Sequence, residues 1–285
     1  MTRRCVVPGP SQSIEIGTGR PLAIIAGPCV LEDPAMAELV ARTVRDACRE
    51  FGLQYIFKAS FDKANRTSIS SSRGPGISDG LEQLARIRHD FGVPVTTDIH
   101  DPAQAAAAAE VVDLLQIPAF LCRQTDLLIA AGQAATKHRR AVNIKKGQFL
   151  SPAEMIGPVR KVESTGCANV MLTERGTFFG YHRLVNDFIG LGDMMELKAG
   201  ELGAPPVCFD ATHSAQLPGE STTTGGRRER VPLLARAAVA AGVQALFLEC
   251  HPSPERAQSD ASTMLPLDLV PALLRTVSAI ARVRD

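Results

Sequence analysis

The chain has no tryptophan and two tyrosines among its 285 residues, and aromatic side chains make up 5% of it. Proteins that bind single-stranded nucleic acid rely on aromatic stacking, and a net charge of +1 gives no general attraction to phosphate backbones or anionic membranes. No segment approaches the roughly 18 consecutive apolar residues of a membrane-spanning helix. The sequence therefore predicts neither a nucleic-acid partner nor a membrane protein, and any basic site must be local.

Cysteine pairs are also missing. The seven cysteines are scattered and odd in number, and none belongs to a Cys-x-x-Cys motif. Residues 1–15 contain two arginines followed by Pro, Ser, Gln and Glu, not the long apolar stretch of a secretory signal. This pattern predicts a cytoplasmic protein with reduced thiols, most of them filling the core, because free cysteine is among the most buried residue types.

Short runs rich in valine, isoleucine and leucine alternate with longer segments that carry helix-start signals. The predicted strands are residues 21–26, 54–58, 93–97, 114–117, 141–144, 170–172, 207–210 and 245–248. Asp33-Pro34, Asp101-Pro102 and Ser151-Pro152 each place an N-cap residue before a proline, which is typical of a helix start. Eight strands alternating with helices predict an α/β fold, a (β/α)8 TIM barrel, with a doubly wound open sheet as the weaker alternative.

The length fits one such barrel, and neither a linker nor an internal repeat divides the sequence. We expect a single domain. Residues 1–20 would form a short N-terminal extension, a hairpin turning at residues 8–10, and residues 21–285 would form the barrel.

Polar residues follow each predicted strand. In a barrel the active site is built from the carboxyl ends of the strands, so these residues should converge on one mouth. They are Cys29, Lys58 with Lys63, Asp98 with His100, Gln116, Lys145 or Lys146, Glu174 with Arg175, Asp210 with His213, and Glu249 with His251. Because side chains alternate along a strand, one of Lys145 and Lys146 can face the mouth, but not both.

The residues at the carboxyl ends of the predicted strands fall into two groups, and the first group is cationic. Lys58, Lys63, Arg66, Lys145, Lys146 and Arg175 belong to this group. On a nearly neutral protein they indicate an anionic ligand, a phosphate or carboxylate held by charge-assisted hydrogen bonds. A GxxxxGK[ST] motif is absent, so a P-loop nucleotide site is not expected.

The second group consists of Cys29, His213, Glu249 and Asp260. A thiolate, an imidazole and carboxylates suit Zn²⁺ or Fe²⁺ better than Mg²⁺. These residues lie far apart in the sequence, so their spacing does not decide between a metal site and an acid–base pair of His213 and Glu249 beside a packed Cys29. Both interpretations stay open at this point.

The segment Gln216–Arg230 is rich in glycine, serine, threonine and arginine. It is either a disordered connection or a mobile lid that closes over a charged ligand and excludes water. Its position at the catalytic end of the barrel favours the lid.

Eight strings of the sequence are specific when taken together. They are IAGPC, FKASFDKANRTS, TTDIHDPAQ, LLQIPAFLCRQTDLL, NIKKGQF, LTERGTFFGY, FDATHSAQLPG and LECHPSPERAQSDASTMLPL. From about residue 21 onward the chain closely resembles the 3-deoxy-D-manno-octulosonate 8-phosphate synthases. The resemblance implies a homotetrameric transferase that condenses phosphoenolpyruvate with D-arabinose 5-phosphate to make the sugar acid of the lipopolysaccharide inner core. The alternative is a related synthase with another acceptor, such as erythrose 4-phosphate.

The same resemblance implies a metal. In this family a cysteine after Gly-Pro marks the metal-dependent branch and an asparagine marks the metal-independent one, and this chain has Cys29. The resemblance implies a divalent cation, Zn, Fe, Mn or Co, bound by Cys29, His213, Glu249 and Asp260.

The resemblance also implies roles for the substrate-binding residues. Phosphoenolpyruvate would be held by Lys58, Ser60, Lys63, Lys145 and Arg175, with Gln116 and Ala119 nearby. The aldose phosphate would be held by Asn65, Arg66, Thr67 and Asp98, with Arg123 reaching in from a neighbouring subunit. Many members have serine where this chain has Thr67, but the hydroxyl is retained. The implied catalytic residues are His213, Asp260 and Lys63.

Overall fold

The structure, a computed structural model, describes residues 2–64, 73–198, 202–218 and 225–284. Its strands are β1 (Cys5–Val7), β2 (Ile14–Ile16), β3 (Ala23–Gly27), β4 (Gln54–Lys58), β5 (Val95–Asp98), β6 (Leu114–Ile117), β7 (Ala141–Lys145), β8 (Val170–Glu174), β9 (Val207–Asp210), β10 (Gln216–Leu217), β11 (Gly225–Gly226), β12 (Ala245–His251) and β13 (Leu265–Pro266). Its α-helices are α1 (Pro34–Phe51), α2 (Ile77–Phe91), α3 (Gln104–Val111), α4 (Thr125–His138), α5 (Ile156–Glu163), α6 (Phe188–Met195), α7 (Val231–Ala240) and α8 (Val270–Arg284).

The main sheet closes on itself. Strands β3 to β9 pair in chain order and in parallel, and β12 pairs with both β3 and β9. In the described part of the chain, these eight strands alternate with eight helices. The prediction of a (β/α)8 TIM barrel with a short N-terminal extension is therefore confirmed, and the open-sheet alternative is wrong.

Element boundaries follow the sequence signals with local differences. Helix α1 begins where predicted, with the Asp33 carboxylate accepting a hydrogen bond from the Met36 backbone N–H at 3.1 Å. Helix α5 begins later than Ser151-Pro152, after a 3₁₀ turn at Ala153–Met155. Strand β12 extends to His251, beyond the predicted end at residue 248. The apolar run ends at residue 248, whereas the strand continues through Glu249, Cys250 and His251.

The lower half of the barrel interior is apolar. Its inward side chains are Ala23, Ile25, Ile56, Leu114, Ala141, Met171, Cys208, Ala245 and Phe247. The antiparallel β1–β2 hairpin adds Cys5, Val7, Ile14 and Ile16 to the same cluster. The hairpin thus closes the amino end of the barrel by burying its own apolar face, at about 1.5–3 kcal/mol for each fully buried large side chain.

The outward side chains of the strands pack against the helices in a second, larger cluster. Examples are Ile24 of β3, Val40 of α1 and Leu84 of α2, each fully buried. None of the described helices has the length and apolar character needed to cross a membrane.

Candidate active site

The apolar layer gives way to polar side chains at the carboxyl end of the barrel. Six buried polar residues each lie two positions after an inward apolar residue of the same strand, so their side chains also face the barrel interior. They are Lys58, Gln116, Asn143, Thr173, Asp210 and Glu249. Asp98 pairs in register with Gln116 and extends the same layer. Barrel interiors are normally filled by bulky branched residues, so this buried polar layer identifies the functional end.

A cavity of about 230 Å³ opens above this layer. It is lined by Lys58, Ser60, Asp62, Lys63, Asp98, His100, Pro118, Ala119, Phe120, Lys145, Gln148, Arg175, His213 and Glu249. Most of the described residues predicted to bind substrate are therefore brought together. Gln116 lies below the cavity, where its amide donates to Asp98 Oδ1 at 2.7 Å.

Other predicted residues lie elsewhere. Arg123 is exposed and does not line the cavity of its own chain. Lys146 is buried outside the cavity, where its ammonium donates to the Leu150 carbonyl and to Thr177 Oγ1, each at 3.1 Å. Asn65, Arg66 and Thr67 lie outside the described residues.

Lys58 and Glu249 form a buried ion pair in the cavity wall. Lys58 Nζ lies 2.5 Å from Glu249 Oε1 and also donates to the Cys29 carbonyl at 3.0 Å. Burial alone would raise the pKa of Glu249, but Lys58 and His213 outweigh it and hold the pKa below its usual range. The other oxygen, Oε2, is buried and has no hydrogen-bond partner among the described residues; it lies 3.7 Å from His213 Nε2.

Glu249 belongs to a possible metal site. Ligand atoms of Cys29, Glu249 and Asp260 all lie within 4.8 Å of one another. One thiol and two carboxylates suit a borderline divalent cation, and Glu249 Oε2 has a lone pair that no donor among the described residues uses. The fourth predicted ligand, His213, lies outside this group of three, although its Nε2 is next to Glu249 Oε2.

Cys29 is protonated when this site holds no cation. Its Sγ donates to Asp260 Oδ2 at 3.0 Å, and burial, reinforced by the Asp260 and Glu249 carboxylates, raises the pKa of the thiol. Binding of a cation would displace this proton, since the thiolate is the form that ligates metals.

The Gly-Pro turn before Cys29 has a steric cause. A Cβ on Gly27 would lie 1.9 Å from the carbonyl oxygen of Lys58, so β3 can approach β4 this closely only without a side chain at that position. On the opposite side of the site, Asp260 has a φ of +49°, in the left-handed region that aspartate tolerates better than most residues.

The sequence predicts that Asp210 lies at a strand end but does not predict its role. Its buried carboxylate accepts hydrogen bonds from Lys145 Nζ at 2.8 Å, His213 Nδ1 at 2.7 Å and the His213 backbone N–H at 2.9 Å. Although burial opposes it, His213 and Lys145 hold the pKa of Asp210 well below its usual range. The ionised carboxylate keeps the proton of His213 on Nδ1 and leaves Nε2 facing Glu249.

Gln216 was also missed, because the sequence placed it in a loop. Its amide oxygen accepts from Arg175 Nη2 at 2.6 Å and its amide nitrogen donates to Asp260 Oδ1 at 3.0 Å. It lies in β10, which pairs with β11, while residues 219–224 are outside the described residues; the lid stays a prediction. Arg175 Nη1 is buried and has no hydrogen-bond partner in the described part of the chain, so the cavity contains an unused cationic donor.

Comparison with known proteins places this barrel in a family. The DAHP synthetase I family matches residues 6–281. The chain belongs to the DAHP synthetase I family. Curated relatives of this family member are named 2-dehydro-3-deoxyphosphooctonate aldolase, and they confirm the resemblance drawn from the sequence strings.

The similarity to these relatives covers nearly the whole chain. The protein from Nitratidesulfovibrio vulgaris (strain DP4) is 55% identical over 258 residues, 90% of this chain and 91% of its own. The protein from Syntrophotalea carbinolica is 52% identical over 268 residues, 94% of this chain and 93% of its own. The protein from Citrifermentans bemidjiense is 50% identical over 281 residues, 98% of both chains.

Proposed function

We propose that this chain condenses phosphoenolpyruvate with D-arabinose 5-phosphate and water, giving 3-deoxy-D-manno-octulosonate 8-phosphate and inorganic phosphate. The observation that carries the proposal is the cationic cavity beside the Cys29, Glu249 and Asp260 cluster. The relatives, which are about half identical to this chain, are named for 2-dehydro-3-deoxyphosphooctonate, the same compound as the proposed product. Such an enzyme supplies the sugar acid of the lipopolysaccharide inner core.

Phosphoenolpyruvate carries a phosphate and a carboxylate, which need several cations. Lys63, Lys145 and Arg175 line the cavity, and the free Nη1 of Arg175 is an available donor to an anion. We assign these three, with Lys58 and Ser60, to phosphoenolpyruvate, with Gln116 and Ala119 nearby. Charge-assisted hydrogen bonds from them fix its pose and stabilise the departing phosphate.

The acceptor aldose would occupy the side of the cavity that contains Asp98. The Asp98 carboxylate accepts hydrogen bonds from Ser60 Oγ and Gln116 Nε2, each at 2.7 Å. We assign this carboxylate to the hydroxyl groups of the sugar. We assign the aldose phosphate to Asn65, Arg66 and Thr67. Arg123, exposed in its own chain, would reach the site of a neighbouring subunit.

The proposed condensation forms one carbon–carbon bond and breaks the bond that joins C2 to the phosphate oxygen. C3 of phosphoenolpyruvate attacks the aldehyde carbon, and the aldehyde oxygen takes up a proton. Water adds at C2, which has lost its double bond to C3, and gives up one proton. The bond between C2 and the phosphate oxygen then breaks as the new C2 hydroxyl gives up its remaining proton, which leaves a ketone and releases phosphate. We assign the proton transfers to His213 and to the Asp260 carboxylate, with Lys63 as the cation beside the reacting groups.

We further propose that Cys29, His213, Glu249 and Asp260 hold a divalent cation, Zn, Fe, Mn or Co. When bound, such an ion supplies Lewis-acid polarisation of a carbonyl or water oxygen. The metal content of dialysed protein tests this assignment. Wild type should retain metal, Cys29→Ala should lose it, and Cys48→Ala, at a buried cysteine of α1, should retain it as wild type does. Equal metal content in all three proteins would contradict the assignment.

An acceptor panel tests the reaction itself. Phosphate release from phosphoenolpyruvate is measured with arabinose 5-phosphate, erythrose 4-phosphate and N-acetylmannosamine. We expect kcat/KM to be highest for arabinose 5-phosphate. A preference for erythrose 4-phosphate would favour the related synthase, and ligand-induced stabilisation without phosphate release would indicate a sugar-phosphate binding protein.

We also propose a homotetramer located in the cytoplasm. Phe179, Tyr181 and Ile189, on the loop after β8 and at the start of α6, are 95%, 91% and 82% exposed, and large apolar groups on one surface commonly mark a protein interface. All seven cysteines are free and buried, which fits a reducing compartment. Sedimentation velocity should give the mass of four chains, and a monomer would refute the tetramer.

A further inference from the structure

A row of buried polar side chains crosses the barrel interior from β5 to β8. Thr173 Oγ1 donates to Asn143 Oδ1 at 2.7 Å, and Asn143 Nδ2 donates to Gln116 Oε1 at 3.0 Å. Gln116 Nε2 then donates to Asp98 Oδ1 at 2.7 Å. Gln116, Asn143 and Thr173 are 0% exposed, and neither Asn143 nor Thr173 lines the cavity. The row therefore connects a cavity carboxylate to side chains that a substrate does not reach.

The hydrogen bonds of this row can run in only one direction, from Thr173 toward Asp98. Burial alone would raise the pKa of Asp98, but nearby lysines outweigh it and hold the pKa below its usual range, so the ionised carboxylate only accepts. Gln116 must then present its N–H group to Asp98 and its carbonyl to Asn143. Asn143 must in turn present its N–H group to Gln116 and its carbonyl to the Thr173 hydroxyl. Reversing either amide would place two acceptors face to face in the interior.

The strand register builds the row. Asp98 pairs with Gln116, and Gln116 pairs with Asn143, across neighbouring parallel strands, so these three side chains stand side by side on the inner face. Thr173 lies two residues beyond Met171, the register partner of Asn143, and reaches Asn143 diagonally.

Stability alone does not require polar groups at these positions. The inward residues two positions earlier are Leu114, Ala141 and Met171, which fill the barrel without any hydrogen bond. Burying amides and a hydroxyl carries a desolvation cost that hydrogen bonds only offset, and an apolar core of equal volume is often as stable. The row therefore has a purpose other than packing, and the end of the row that reaches the cavity is the Asp98 carboxylate.

We infer that Asn143 and Thr173 are positioning residues that act through Gln116 to fix the orientation of the Asp98 carboxylate toward the acceptor aldose. The inference rests on the proposed condensation, in which Asp98 binds the sugar. With Oδ1 held by Gln116 and Oδ2 by Ser60, the carboxylate plane is set before the aldose enters. A displacement of about 1 Å in such a group costs on the order of 100-fold in rate.

Substitutions at Thr173 test the inference without touching the cavity. Thr173→Val keeps the shape of the side chain but removes the donor to Asn143, and Thr173→Ser restores a donor. We expect Thr173→Val to raise the KM for arabinose 5-phosphate about tenfold, the effect of one unsatisfied buried acceptor, while the KM for phosphoenolpyruvate changes less than about threefold. Thr173→Ser should return the aldose KM to near the wild-type value.

Asn143→Asp tests the direction of the row. The new carboxylate would attract the N–H group of Gln116, whose carbonyl would then face Asp98. We expect a loss in kcat/KM for the aldose larger than that of Thr173→Val, about 100-fold. Thr96→Val is the matched control: Thr96 is equally buried, but its hydroxyl donates to the Leu114 backbone carbonyl at 2.6 Å, outside the row. It should lose stability and keep both KM values.

Thermal unfolding of each variant separates folding from positioning, and Thr173→Ala, which removes the same hydroxyl donor, replaces Thr173→Val if the latter does not fold. Arabinose 5-phosphate binding, measured by calorimetry, gives the same comparison without turnover. Wild-type KM and binding in Thr173→Val, an equal rise in KM for both substrates, or no recovery in Thr173→Ser would overturn the inference. Failure of the proposed function would show differently, as wild-type protein that releases no phosphate with arabinose 5-phosphate.

Discussion

Replacing Asp210 with asparagine removes one negative charge while keeping the shape of the side chain. Asp210 is fully buried and accepts hydrogen bonds from Lys145, from the ring of His213 and from the backbone N–H of His213. An asparagine has one acceptor oxygen in place of two, and its N–H group would face one of these donors. The substitution therefore leaves the buried Lys145 ammonium without its counter-charge and releases the ring of His213.

The size of the effect follows from these contacts. Removing one partner of a buried ion pair costs about 3–5 kcal/mol, and the retained oxygen of asparagine places Asp210→Asn near the lower value. This is a large part of a typical total of about 5–15 kcal/mol. Loss of a carboxylate that orients a metal-ligating histidine lowers metal affinity by about 10- to 100-fold.

Two measurements on two variants separate these effects. Urea unfolding gives the free energy of unfolding, and competition with a chelator gives metal affinity. Asp113→Asn is the matched control, because Asp113 is also fully buried between two cations, Arg88 and Arg140, but does not line the cavity. We expect both variants to lose stability and only Asp210→Asn to lose metal affinity. If Asp210→Asn bound metal as tightly as wild type, Asp210 would not orient a ligand and the reasoning would be wrong.

Three further predictions concern the cavity. Lys145→Met should raise the KM for phosphoenolpyruvate about tenfold or more, whereas Lys146→Met should lower the melting temperature and leave that KM unchanged; steady-state kinetics and thermal unfolding check both. Gly27→Ala should prevent folding or metal binding, because its Cβ would overlap a carbonyl of the adjacent strand, and circular dichroism with metal analysis would show it. Asp98 and Asp210 have pKa values below the unfolded value of about 3.9, so the unfolded state takes up protons first as the pH falls. The free energy of unfolding should therefore decrease as the pH falls below about 4; a constant value from about pH 4 down to about pH 3 would contradict this prediction.

The barrel could be predicted from the sequence because each of its strands is a short apolar run followed by a helix signal. The convergence of Cys29 and Glu249 follows from the same pattern, since residues after parallel strands meet at one end of a barrel. Asp260 lies in the loop after β12, and this pattern does not predict its place beside them. The interior alternation that separates Lys145 from Lys146 is also a local property of the strand.

Partners within the site could not be predicted in this way. Asn143 lies inside an apolar run, and its contacts with Gln116 and Thr173 depend on the register and tilt of three strands. Gln216 belongs to a segment whose composition is typical of a loop, yet it links Arg175 to Asp260. Such contacts depend on the three-dimensional arrangement of several elements and leave no periodic signal in the sequence.

The proposed condensation depends on a cation held by the Cys29, Glu249 and Asp260 cluster. Phosphate release from phosphoenolpyruvate and arabinose 5-phosphate, measured on chelator-treated protein before and after adding Zn²⁺, Mn²⁺, Co²⁺ or Fe²⁺, tests it most directly. We expect chelation to abolish phosphate release and at least one of these metals to restore it. Full activity in protein shown to contain no metal would contradict the claim.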